Sequence, residues 1–214
     1  LRASGDPSYR NLYDYDRFTA QVAIDPPPGY ETIEGFNAAL ARSIERLHRS
    51  TDRPVDQTLY GGTQSPGRLW NDPDPVIQTY VGAMRKAATG FVRRLPDDLS
   101  HPFLARKSEN LDCVGAWSVI LSSGGGHVDH IHPAGWISAC YYVSAPKEIF
   151  EGERAGYLRL GASGVAGLNL AAERYFPPTA GTVVFFPSYM WHGVEPFSAG
   201  STRITAPFDL APLP

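Results

Sequence analysis

The chain has 214 residues, 43% of them hydrophobic, and a formal net charge of -3. That is enough apolar content for one well-filled core, and the charge balance draws in neither nucleic acid nor an anionic membrane surface. No run nears the roughly 20 apolar residues that span a bilayer, residues 1–9 carry no signal-type apolar run, and Cys113 and Cys140 are too few for a disulfide framework; a cytoplasmic protein with two reduced core thiols is expected.

The first half reads helical. Ile33, Phe36, Leu40, Ile44 and Leu47 recur at helical spacing and make one apolar stripe over about residues 30–48, with Arg42, Glu45, Arg46 and Arg49 off it. A loop or hairpin over 58–70, with Gly61, Gly62, Pro66 and Gly67, leads to a second helix. Asp74 caps that helix and Pro75 occupies its first turn. Ile77, Val81, Met84, Ala88, Phe91 and Leu95 line one face, and Pro96 stops it.

The second half changes period. Apolar and β-branched stretches at 111–121, 124–133, 136–144, 156–160, 174–176, 182–186, 191–195 and 202–208 read as eight short strands separated by glycine and proline turns. The pattern predicts a mostly β domain, a jelly roll or related double-sheet barrel, with helices covering the outer face of one sheet. One domain over 1–214 is expected, with an N-terminal extension to about residue 105 and a barrel core over about 106–214.

Three of the six histidines fall within six residues, at His127, His130 and His132, and His192 follows sixty residues later. Side chains two apart on a strand share a face, so His130 and His132 project into one space and offer two adjacent positions to a metal. A second pairing competes. His127-Val128-Asp129 is a literal His-x-Asp, on the opposite face of a regular strand; a bulge would be needed to mix the two sets. Asp129 and His127 could also support a ligand from behind.

The stretch His130-Ile-His132-Pro-Ala-Gly-Trp-Ile-Ser-Ala-Cys-Tyr-Tyr-Val143 resembles the iron-binding segment of the 2-oxoglutarate/Fe(II)-dependent oxygenases, closest to their prolyl-hydroxylase-like branch. Gly181-Thr-Val-Val-Phe-Phe-Pro187, followed by His192-Gly-Val-Glu-Pro196, resembles the segment carrying that family's distal histidine. Arg203 stands eleven residues beyond His192, about where the family places its co-substrate arginine. The likeness covers about residues 111–210, and it implies a double-stranded β-helix, a jelly-roll, cupin-like fold.

Counting back from Tyr141-Tyr142, the resemblance puts the family's His-x-Asp on His130 and His132. The chain departs from that pattern, because His132 stands where an aspartate is usual. The implied metal ligands are His130, His132 and His192, holding Fe(II). Arg203 and Tyr142 are the implied partners of the far carboxylate of 2-oxoglutarate, whose decarboxylation the family couples to oxidation of a substrate. The three-histidine set leaves two rivals, an iron dioxygenase that needs no 2-oxoglutarate and a metal-binding barrel without chemistry. The expected substrate is a small molecule or a protein side chain that the sequence does not specify. No nucleic acid or membrane partner is expected, and a sheet edge or the helical layer is suited to a homodimer.

Overall fold

The computed structural model describes residues 1–48, 57–66 and 69–213; Arg49 and Gly67, named above, lie outside them. In chain order the helices are α1 (Tyr9–Leu12), α2 (Tyr15–Phe18), α3 (Ile33–Glu45) and α4 (Pro75–Arg94). The strands are β1 (Ala20–Ala23), β2 (Leu59–Gln64), β3 (Leu111–Ala116), β4 (Val119–His130), β5 (Ile137–Ser144), β6 (Leu158–Leu160), β7 (Arg174–Phe176), β8 (Thr182–Pro187), β9 (His192–Val194) and β10 (Arg203–Pro212).

The capping chemistry sets the helix starts. Thr32 caps α3 by accepting from the Gly35 amide at 3.1 Å, so the helix begins inside the expected 30–48 window. Asp74 accepts from the amides of Val76 and Ile77, and α4 runs from Pro75 to Arg94 as its pattern predicts. Among the described residues no helix is long and apolar enough to cross a membrane.

The strands pair antiparallel in the order β1-β8-β5-β10-β4-β9-β6-β7, with β2 on β4 and β3 on β10. β4 belongs to two sheets. Its first part, Val119 to Leu121, pairs with β10, and its last part, His127 to His130, pairs with β9. The strand therefore turns a corner at Ser122 to Gly126. Sequence reading splits this stretch at a glycine turn; the chain instead runs on as one strand whose two halves serve opposite sheets. One sheet holds β1, β8, β5, β10 and the start of β4, and the other holds the end of β4 with β9, β6 and β7. This near-closed antiparallel barrel is the expected double-stranded β-helix.

Of the two strands in the first half, β2 falls in the stretch that reads as a loop or hairpin, and β1 has no counterpart in the sequence reading. β1 pairs with β8 and β2 with β4, so the N-terminal residues extend the sheet as well as cover it. β1 is four residues long and mixed in character, and β2 has glycines at 61 and 62, so neither shows clean alternation. The stretch 111–121, read as one strand, is broken at Trp117 and Ser118 into β3 and β4.

The helices cover the outer face of the first sheet. Phe91 of α4 stacks on Phe185 at 5.0 Å, and the Tyr80 hydroxyl donates to the Ala206 carbonyl at 2.8 Å. The Tyr141 hydroxyl donates to Asn37 of α3 at 2.6 Å. With Tyr141, Phe185, Ala206 and Phe208 turned toward the helices, their sequence neighbours Tyr142, Phe186, Thr205 and Pro207 face the barrel interior. Burial on both faces explains why β5, β8 and β10 read as nearly continuous apolar runs.

Candidate metal centre and anion pocket

The second sheet brings the histidines together. His130 on β4 lies directly opposite His192 on β9, and His132 follows in the turn after β4. The ring centroids are 4.2 Å apart for His130 and His192, 4.8 Å for His132 and His192, and 5.0 Å for His130 and His132. One nitrogen from each ring lies within 4.8 Å of the other two, a separation suited to three ligands on one ion.

The other nitrogens fix which atoms face inward. His130 Nδ1 sits 2.8 Å from the Val128 carbonyl, and His192 Nδ1 sits 2.9 Å from the Met190 carbonyl. A carbonyl only accepts, so each Nδ1 carries the proton and each Nε2 presents a lone pair. His132 Nδ1 lies 2.8 Å from Asp209 Oδ1 and 3.1 Å from Ser138 Oγ. All three side chains are thus anchored through Nδ1. Burial holds His130 neutral, pushing it down to about 4 with some help from the neighbouring His132, and burial likewise holds His192 well below the usual imidazole range. Neutral imidazoles are the form that ligates a metal. The ring of Phe186 packs on His192 and that of Trp117 meets His132 edge-on.

A buried guanidinium lines the same cavity as these rings. Arg203 is 1% exposed, and its Nε and Nη2 have no hydrogen-bond partner among the described residues. Beside it the Tyr142 hydroxyl is also buried and unpartnered, with the Arg203 guanidinium carbon 5.1 Å from the phenol ring centre. Burial pushes the Tyr142 phenol up, so it stays a donor. An unpaired buried guanidinium costs several kcal/mol. Its two vacant N–H groups with a vacant phenol O–H match the lone pairs of a carboxylate.

His127 departs from the strand rule. His127 pairs with Val194 and His130 with His192, so β4 holds one more residue than β9 over the same span. This bulge turns His127 to the same side as His130, with ring centroids 6.0 Å apart, and both line the pocket with Arg203. Thr58 Oγ1 is 3.1 Å from its Nδ1, and burial pushes it down to about 3. Asp129 does not join. Its carboxylate accepts from Arg159 Nε at 2.9 Å and Nη2 at 3.1 Å, and Glu195 pairs with the same guanidinium. His127-x-Asp129 therefore does not assemble as a ligand pair, and Asp129 supports no ligand ring.

Asp209, Ser138 and Ser188 escaped the sequence reading. Arg203, Thr205, Pro207 and Asp209 alternate along β10, so the face of Arg203 leads to Asp209, which lies one residue beyond the 202–208 stretch that the apolar pattern marks. Of the nearby aromatics, Phe186 lines the pocket, whereas Trp136 donates to the Phe103 carbonyl at 2.9 Å and packs against the Phe103 ring. A cavity of about 740 Å³ between α4 and residues 22–28 lies away from the histidines, so chemistry rather than size marks the site.

Residues 115–209 match the family model described as "Putative 2OG-Fe(II) oxygenase". No curated protein matches the chain in sequence. Among solved structures, the chain is similar to a prolyl-4-hydroxylase from Pseudomonas putida (19% identity, all of both chains, TM-score 0.59). It is similar to a viral collagen prolyl hydroxylase from Paramecium Bursaria Chlorella virus-1, solved as a 2-oxoglutarate complex (12% identity, 92% of this chain and 97% of that one, TM-score 0.58). A third is HygX from Streptomyces hygroscopicus with nickel and 2-oxoglutarate bound (13% identity, 95% and 86%, TM-score 0.56). At these identities the likeness concerns the fold.

Proposed function

We propose that the chain, whose residues 115–209 match a 2OG-Fe(II) oxygenase family model, is a 2-oxoglutarate/Fe(II)-dependent hydroxylase whose Fe(II) is held by His130, His132 and His192 and whose 2-oxoglutarate is held by Arg203 and Tyr142. The observation that carries this reading is the buried, half-vacant Arg203 guanidinium beside three inward-facing Nε2 atoms. The donor set fits both groups. Three imidazoles suit a divalent first-row metal, and the orphaned N–H and O–H donors suit a dicarboxylate. Bound together, they would supply oxidative decarboxylation of 2-oxoglutarate coupled to oxidation of a C–H bond.

The chain's residues contribute position. Arg203 and Tyr142 would seize one carboxylate and so orient the other end of the molecule toward the histidines. The Val128 and Met190 carbonyls and the Asp209 carboxylate hold the three rings in their ligating orientation. Phe186 and Trp117 pack against the rings of His192 and His132. His127, neutral and turned into the pocket, lies between the metal ligands and Arg203 and would contact whichever molecule spans them.

The test is release of succinate from 2-oxoglutarate under air. Slow, Fe(II)-dependent release without added substrate is expected, and His192→Ala should abolish it. Oxygen uptake that needs Fe(II) but not 2-oxoglutarate would instead favour the three-histidine dioxygenase, with Arg203 binding a carboxylate of the substrate.

A further inference from the structure

We infer that Asp209 is a positioning residue for the metal: it supplies, through His132, the negative charge that the missing aspartate ligand would have carried. This rests on the three-histidine reading of the metal centre. His130 and His192 are anchored by neutral backbone carbonyls, at 2.8 Å and 2.9 Å. His132 alone is anchored by a carboxylate, with Asp209 Oδ1 2.8 Å from its Nδ1. The difference falls on the one ligand that departs from the family's His-x-Asp.

The carboxylate is built in. Asp209 is 7% exposed and stands opposite Ser138 in the β10–β5 register. Ser138 is 1% exposed, with its Oγ 2.6 Å from Asp209 Oδ1 and 2.9 Å from Ser188 Oγ. Two buried polar side chains, Asp209 and Ser138, converge on the nitrogen of His132 that points away from the site, and Ser188 backs Ser138. Among the described residues no lysine or arginine is paired with Asp209, so its charge is not consumed by one.

The electrostatics follow. Three neutral imidazoles leave a divalent ion with its full charge, whereas two imidazoles and a carboxylate leave it one unit lower. A carboxylate hydrogen-bonded to the far side of a ligating imidazole raises the basicity of the near nitrogen and places an anion one ring away from the metal. It also fixes His132 as the Nδ1–H tautomer, leaving Nε2 free to ligate. The carboxylate has moved outward by one imidazole, and the net charge of the cluster is kept.

The experiment is a double-mutant cycle read as the Fe(II) dissociation constant, measured anaerobically against a chromophoric chelator and without 2-oxoglutarate. Asp209→Asn keeps the shape and removes the charge; it should weaken Fe(II) binding about 10- to 100-fold. In the His132→Asp background the ligand itself carries the charge and has no ring nitrogen to support, so the same Asp209→Asn change should alter binding by less than about twofold. That non-additivity distinguishes support of His132 from a structural role, which would weaken both backgrounds alike. Equal weakening in both, no weakening in the parent, or failure of Asp209→Asn to fold in either background each overturns the inference while leaving the metal centre standing. A parent that binds no Fe(II) overturns the proposed function, and the inference with it.

Discussion

An arginine buried without a partner destabilises the fold that holds it, and Nε and Nη2 of Arg203 have no hydrogen-bond partner among the described residues. Replacing it with a residue of similar length and no charge should therefore separate stability from binding. Arg203→Met is expected to raise the melting temperature of the ligand-free protein by about 2–8 °C, taking roughly 1–2 kcal/mol of relieved desolvation for a chain of this size. The same variant should lose 2-oxoglutarate binding. A lower melting temperature would mean that Arg203 is a structural ion-pair partner after all. His130, His132 and His192 lie together, as do Arg203 and Tyr142, and the order of motifs is what singled out these five residues in the sequence. Asp209 and Ser138 were not singled out, because a hydrogen bond between residues 77 positions apart leaves no local pattern. The side of the strand that His127 faces is not legible for a different reason: the extra residue between it and His130 cancels the alternation, as only a bulge could.

Strand β4 is the element that makes the site, since it leaves one sheet, turns a corner and delivers His127 and His130 to the other. The corner depends on close backbone approach. A Cβ on Gly125 would lie 2.5 Å from the Gly61 carbonyl oxygen and 2.8 Å from that of Ser122, and neither is a flexible side chain. Gly61 takes a left-handed φ of 63° where β2 follows the same corner. Gly125→Ala should destabilise the protein by about 1–3 kcal/mol in urea unfolding, the usual range for overpacking, and an unchanged midpoint would show that the corner is looser than drawn. The glycines were visible in sequence as a break; that the break is a sheet-to-sheet bend depends on pairing with β2, β9 and β10, which only the fold specifies.

His48, just beyond α3, ties that helix to the corner's first limb. Its Nδ1 lies 2.8 Å from Thr63 Oγ1 and its Nε2 2.9 Å from Ser118 Oγ. Burial lowers its pKa, so the native state favours the neutral ring. Above the unfolded value of about 6.5 both states are neutral and the contribution is intact; below it the unfolded chain takes up the proton first and stability falls with pH. Melting temperatures of the parent should drop more between pH about 7.5 and about 5.5 than those of His48→Gln. Equal drops would remove His48 from the acid response.

At the scale of the molecule, the helical layer, the first sheet and the second sheet divide the work. The helices bury the outer face of the first sheet, the first sheet turns Tyr142, Arg203 and Asp209 inward, and the second sheet presents His130 and His192. The turns between them lock the assembly. Tyr13 of the N-terminal segment places its hydroxyl 3.2 Å from both the Tyr189 carbonyl and the Trp191 amide, the residues leading into His192. Period and punctuation revealed the layers because apolar alternation is a local property. The short strand β1 and the tie from Tyr13 rest on contacts across the whole chain, so they left no such signal.

The most direct measurement is 2-oxoglutarate binding to the anaerobic Fe(II)-loaded protein, followed by its visible charge-transfer band, with Arg203→Ala and His132→Ala alongside. A band in the parent that weakens sharply in both variants is the predicted result. One bound iron per chain with no band on adding 2-oxoglutarate would contradict the assignment of Arg203 and Tyr142 to that co-substrate.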